Sequence, residues 1–114
     1  MSIAKEIQKL AATRAGLPVV VVTRHNGAIE WLKQQPGFET SAAASVAHLG
    51  AIQTATHYVG ILPTNLVAEI WEKGGMHTAL SLPDLPAEWR GKELSAEEMR
   101  YAGARLDVYY AFKV

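Results

Sequence analysis

The run Val19-Val20-Val21-Val22 constrains this chain more than any other stretch. Four consecutive β-branched residues suit an extended backbone, and an unbroken apolar run of this length fits a strand covered on both faces. Strands of that kind belong to parallel sheets with helices on either side. Thr23-Arg24-His25-Asn26-Gly27 follows at once, and after it Ala28, Ile29, Trp31 and Leu32 fall on one helical face until Gln34-Gln35-Pro36-Gly37 stops the helix. The unit is strand, short polar loop, helix.

The pattern recurs. "HYVGIL" at 57–62 reads as a strand, Pro63-Thr64-Asn65 as a loop, and Leu66, Val67, Ile70 and Trp71 as the buried face of a helix closed by Gly74-Gly75. "HTALSL" at 77–82 is a further strand, and residues about 44–49 are read as one in spite of their alanine content. Residues 83–94, with Pro83, Pro86 and Gly91, read as loop or broken turn. Ser95-Ala96-Glu97-Glu98 is a capping box opening a helix to Ala102. The last segment alternates, Leu106, Val108, Tyr110 and Phe112 against Asp107, Tyr109, Ala111 and Lys113, as an edge or antiparallel strand does. Ahead of everything, Ile3, Ile7, Leu10 and Ala11 form one face of an amphipathic helix ending before Gly16 and Pro18. Strand–helix alternation of this kind gives a three-layer α/β domain with a mainly parallel sheet. We expect one domain over 1–114, with 2–17 as an N-terminal helical extension and 19–113 as the core.

Composition narrows the function. Lys plus Arg and Asp plus Glu number 11 each, so no bulk positive field attracts long nucleic acid. The absence of cysteine removes disulfides and thiolate metal sites. His25, His48, His57 and His77 lack the spacing of a helical metal pair, and no metal or cofactor is expected. Neither the dinucleotide fingerprint G-x-G-x-x-G nor the phosphate loop G-x-x-x-x-G-K-[ST] occurs. No segment is an apolar span of membrane length or a signal peptide, so a cytoplasmic protein without a membrane partner is expected.

What remains is a small anion at the carboxyl edge of the sheet, where ligands of α/β domains bind. Thr23 to Gly27 and Pro63 to Asn65 fall there, each opening a helix whose first amides attract anions. Arg24 offers a planar guanidinium suited to phosphate, His25 an imidazole able to donate or accept a proton, Asn26 and Gly27 a tight turn. Equally, Asn26 caps the helix and Arg24 pairs with a carboxylate, and Thr64 or Asn65 is routine capping. Arg90 and Lys92, in "WRGK", could close over the anion or remain solvated, and Ser81 falls near the same edge without a nucleophile motif around it.

The stretches "VTRHNGAIEWL", "HYVGILPTNLVAEI" and "ALSLPDLPAEWRGKELSAEEMRYAGARLDVY", in this order, resemble the small CRISPR-associated Csx-sixteen family of type III systems. The resemblance covers about residues 19–110, and the motifs are specific as a set. It implies a Rossmann-like, CARF-like fold and a metal-independent ring nuclease. Such an enzyme degrades cyclic oligoadenylate, chiefly cyclic tetra-adenylate, and so switches off antiviral signalling. It further implies a homodimer with the ligand at the two-fold. The residues carried over are Arg24, His25 and Asn26 as catalytic. Thr23, Gly27, Pro63, Thr64, Asn65, Ser81, Arg90 and Lys92 are the ligand-binding set. The rivals are a sensor or sponge that holds the ring uncut, and a hydrolase of a smaller phosphoester.

Overall fold

The computed structural model describes residues 2–23, 25, 27–39 and 43–114. Its centre is a five-stranded sheet in the order β2-β1-β3-β4-β5, formed by β1 (Val19–Val22), β2 (Ala43–Val46), β3 (His57–Val59), β4 (Met76–Ser81) and β5 (Arg105–Tyr109). The first four strands are parallel and β5 pairs antiparallel with β4. The expected α/β domain, Rossmann-like with a mainly parallel sheet and an N-terminal helix, is the one observed.

The four valines are covered on both faces, as their pattern requires. Val19 and Val21 pack into a cluster with Trp31 and Leu32 of α2 (Gly27–Lys33) and Ala96 and Met99 of α4 (Ala96–Tyr101). Val20 and Val22 lie against the opposite cluster, built on Tyr58 and on Ile70 of α3 (Thr64–Glu72). These two layers of helix sandwich the sheet. Outside α3, α1 (Ile3–Arg14) sets Ile7, Leu10 and Ala11 on Val67 and Trp71. Arg14, at the last turn of α1, donates to the carbonyls of Trp71 (3.1 Å) and Gly75 (2.7 Å), fastening α1 to the end of α3.

Strand lengths differ from the sequence expectation mainly because a strand ends where its partner does. β2 stops at Val46 because Val46 pairs with Val22, the last residue of β1. β5 stops at Tyr109 because Tyr109 pairs with His77 near the start of β4, so the alternation that continues to Lys113 has nothing to pair with. β3 ends at Val59 because Gly60, at φ +147°, leaves the extended region. The capping box is present: the Glu98 amide donates to Ser95 Oγ at 3.2 Å, and the Ser95 amide to Glu98 Oε1 at 3.1 Å.

Candidate functional site

In the strand order, β2 lies on one side of β1 and β3 on the other. The chain therefore reverses direction across the sheet between β1 and β3, which makes their carboxyl ends the switch point where a crevice opens. A cleft of about 620 Å³ lies there. It takes Val22 and Thr23 from the end of β1, Gly60 and Ile61 from the end of β3, Ser81 from the end of β4, and Gly91 to Glu93 from the approach to α4.

His25 lines this cleft, and its ring is fixed by a residue far away in sequence. The Leu94 amide donates to His25 Nδ1 at 3.2 Å. A backbone amide can only donate, so Nδ1 is an acceptor and the neutral ring carries its proton on Nε2. From below, the His25 amide donates to Thr23 Oγ1 at 3.0 Å, and the Thr23 amide to the Val46 carbonyl at 2.9 Å. The loop is thus held at both ends, by the sheet and by the segment before α4.

Gly27 is buried in the same joint. Its amide donates to the Leu94 carbonyl at 3.1 Å, so it is not free for an anion. A Cβ at this position would stand 2.2 Å from the Ala96 nitrogen and 2.3 Å from the Ser95 carbonyl carbon. The residue expected to bind ligand is instead the point where α2 crosses the start of α4. Arg24 and Asn26 lie outside the described residues.

The remaining expected residues divide. Thr23, Ser81 and Lys92 line the cleft. Pro63, Thr64 and Asn65 do not; they are exposed at the start of α3, with Pro63 in the capping position and no side-chain capping bond there. The loop after β3 meets the cleft earlier, at Gly60 and Ile61. Arg90 is exposed and outside the lining. A turn closed by the Lys92 amide on the Trp89 carbonyl, with Gly91 at φ +79°, brings Lys92 to the cleft and leaves Arg90 behind. Lys92 itself is engaged: its Nζ lies 2.6 Å from Glu98 Oε2 and 4.9 Å from the centre of the Trp89 ring. That bond to Lys92, with the Ser95 amide second, holds the Glu98 carboxyl below its ordinary range.

Sequence reasoning missed Leu94, whose contribution is entirely backbone and so has no residue signature. It missed Glu93 too, which brings an acid to the cleft from within the "WRGKEL" motif. It also missed the role of His77. This side chain is buried, and its Nε2 lies 2.7 Å from the Gly60 carbonyl oxygen, to which it donates. Burial lowers the His77 pKa, against the opposing pull of that carbonyl. His57, buried beside Thr78 with Nε2 2.7 Å from its hydroxyl, is pushed down to about 4 by burial and, second, by His77. Among the described residues the Nδ1 atoms of His57 and His77 have no hydrogen-bond partner, and no three His, Asp or Glu side chains gather as a metal-binding group. Among the described residues no helix is long and apolar enough to cross a membrane.

A family model described as "Putative CRISPR-associated protein (Cas_VVA1548)" matches residues 20–112, from the second valine of β1 to the tail beyond β5. The chain belongs to this CRISPR-associated family. No curated protein and no solved structure matches it. The match takes in every wall of the cleft: the β1 end with His25, the β3 end with Gly60, and the Gly91–Leu94 segment that fixes His25.

Proposed function

We propose that the protein is a ring nuclease that cleaves cyclic oligoadenylate, with cyclic tetra-adenylate as the substrate, and so ends type III CRISPR signalling. The observation that carries this reading is His25, held on the cleft wall at the switch point with Nδ1 bonded to Leu94 and, among the described residues, no partner bonded to Nε2–H. Membership of a CRISPR-associated family supports it. So does the size of the cleft: pockets of about 300–1,000 Å³ bury drug-sized ligands. A cleft of 620 Å³ therefore suits part of a tetranucleotide ring, with the rest in the cleft of a second copy.

In the proposed reaction a ribose 2′-oxygen attacks the adjacent phosphorus as the bond to the 5′-oxygen breaks. The hydroxyl loses its proton, the 5′-oxygen gains one, and the product is a linear oligoadenylate with a 2′,3′-cyclic phosphate. Holding the attacking oxygen in line supplies much of the rate. Hydrogen bonds to the phosphoryl oxygens stabilise the charge that builds there. The neutral His25 ring serves this second purpose through Nε2–H. Delivering a proton to the 5′-oxygen first requires a second proton on Nδ1 and release of the Leu94 amide. Lys92 approaches a phosphate only by sharing or leaving Glu98.

A second reading, binding of the ring without cleavage, is favoured by the same Leu94 bond. With Nδ1 occupied and Nε2 protonated, the neutral ring offers no general base. Incubation of the protein with labelled cyclic tetra-adenylate in EDTA separates the two. Cleavage to a linear product supports the nuclease. A ring that is bound yet intact at stoichiometric protein overturns it in favour of the sponge. A ring that neither binds nor breaks overturns both.

A further inference from the structure

We infer that the backbone amide of Ile61 is an anion-binding donor in the cleft, aimed there by the buried side chain of His77. The inference rests on the reading of the cleft as a phosphodiester site, and deepens it by naming a donor that no side-chain motif reveals.

The geometry follows from one peptide plane. His77 pairs beside Tyr58 across β3 and β4, and so projects to the same face of the sheet. That face is the α3 layer, where Tyr58 packs with Ile70. The Gly60 carbonyl is drawn into this layer by the 2.7 Å bond from His77 Nε2. No peptide bond among the described residues is cis, so across the Gly60–Ile61 bond the N–H points opposite to the C=O. The Ile61 N–H is therefore turned away from the α3 layer, toward the side from which Gly91, Lys92 and Glu93 close the cleft. Among the described residues no backbone or side-chain acceptor is bonded to it, whereas the amide before it, of Gly60, is bonded to the Thr78 carbonyl at 3.0 Å.

Gly60 is what allows the turn. Its φ of +147° is open to glycine, and a Cβ there would stand 2.5 Å from the Val22 carbonyl oxygen. The loop is thus pressed against the end of β1, which leads to His25. Ile61 and His25 line one cleft from two adjacent strand ends, where a donor from each can reach one phosphoryl group. His77 does not line the cleft; it is a positioning residue, acting through the Gly60 carbonyl.

The test is a ¹⁵N–¹H NMR titration of the full chain with two probes used separately, cyclic tetra-adenylate and adenosine 5′-monophosphate. The expected result is a downfield move of the Ile61 amide proton with both. His77→Leu, which removes the donor that orients the peptide, is expected to abolish that move and weaken binding about tenfold, the size of one hydrogen bond to a charged group. His77→Gln, whose amide can donate to the same carbonyl, is expected to restore both. If the ring shifts Thr23, His25 and Ser81 but neither probe moves Ile61, the inference falls and the cleft reading stands. A move with the monophosphate but none anywhere with the ring preserves the donor and overturns the ring as substrate. An Ile61 response unchanged in His77→Leu overturns the positioning role.

Discussion

The loops after β1 and β3 start from one pattern, strand then turn then helix, and reach the cleft in opposite ways. The first presents a side chain. His25 lines the cleft, while among the described residues of the loop the amides of Thr23, His25 and Gly27 are all bonded within the protein. The second presents backbone. Its side chains at 63–65 stand in solvent outside the cleft, and Gly60 and Ile61 form the wall. What fixes each loop differs as well. Leu94, 69 positions away, holds the first through main-chain groups, and a buried histidine holds the second. A strand–helix loop thus becomes a side-chain site or a backbone site according to which of its groups the rest of the fold has already bonded.

The sharpest way to break the first loop is Gly27→Ala. The added carbon meets the Ser95 and Ala96 backbone at 2.3 and 2.2 Å, and backbone atoms cannot rotate aside. We expect a loss of about 3 kcal/mol, the upper end for overpacking, read as a lowered urea midpoint. Gly60→Ala, in the second loop, meets one carbonyl oxygen at 2.5 Å and should lose about 2 kcal/mol. Equal stability of wild type and Gly27→Ala would mean that α2 and α4 can slide apart, and that the first loop is not locked.

Acid sharpens the contrast from the second loop's side, because its anchor, His77, and the neighbouring His57 are both buried and lowered. An unfolded histidine takes its proton near pH 6.5, whereas folded His57 holds out to about 4. Between those values the unfolded chain binds more protons, so stability is complete above about pH 7 and declines as pH falls. The loss attributable to His57 is up to about 3 kcal/mol by pH ~4, and His77 adds to it in the same direction. Urea unfolding at about pH 7 and about pH 4.5 measures this, and His57→Gln should flatten the profile. A profile as steep in His57→Gln as in wild type would show that another group governs acid unfolding.

At the level of chemistry, the comparison predicts that His25 and Arg24 behave unlike each other. His25→Ala should lower ring cleavage about 100-fold while changing ring affinity less than about tenfold, since the contact matters most where charge develops. Under the proposed reading Arg24→Ala should weaken binding and cleavage together, because a permanent cation offered to a phosphate acts on ground and transition state alike. Single-turnover rates and equilibrium binding with labelled ring measure both. A His25→Ala protein that cleaves the ring as fast as wild type would remove the first loop from the proposed chemistry.

How much of this was legible in advance follows from the same contrast. The valine run, the glycine and proline stops and the capping box depend on residue type and spacing, and they placed the elements and the parallel sheet. His25 was legible because a titratable side chain directly after a buried strand has few places to go. Pro63-Thr64-Asn65 was expected at the same edge but stands outside the cleft lining, because Gly60 ends β3 three residues before it. Leu94 and Ile61 were beyond reach for a deeper reason. Both act through amide groups that every residue but proline carries, so only the fold distinguishes them.

The smallest effect tests the joint between the two kinds of support. Ser95 follows Leu94, packs against Gly27 and caps α4 through the bond from the Glu98 amide. Ser95→Ala removes that bond but keeps the backbone that touches Gly27, so the expected loss is about 1 kcal/mol, that of an N-cap alone. The Glu98 carboxylate keeps both the Ser95 backbone amide and Lys92. If the cap only starts α4, the His25 ring stays fixed and ring affinity is unchanged. If the cap also holds Leu94 in register, its amide drifts from Nδ1, the Nε2 proton is no longer pinned, and the His25 side-chain resonances broaden in NMR. Loss of the pinned tautomer at a stability cost this small would tie the first loop's chemistry to α4 rather than to β1.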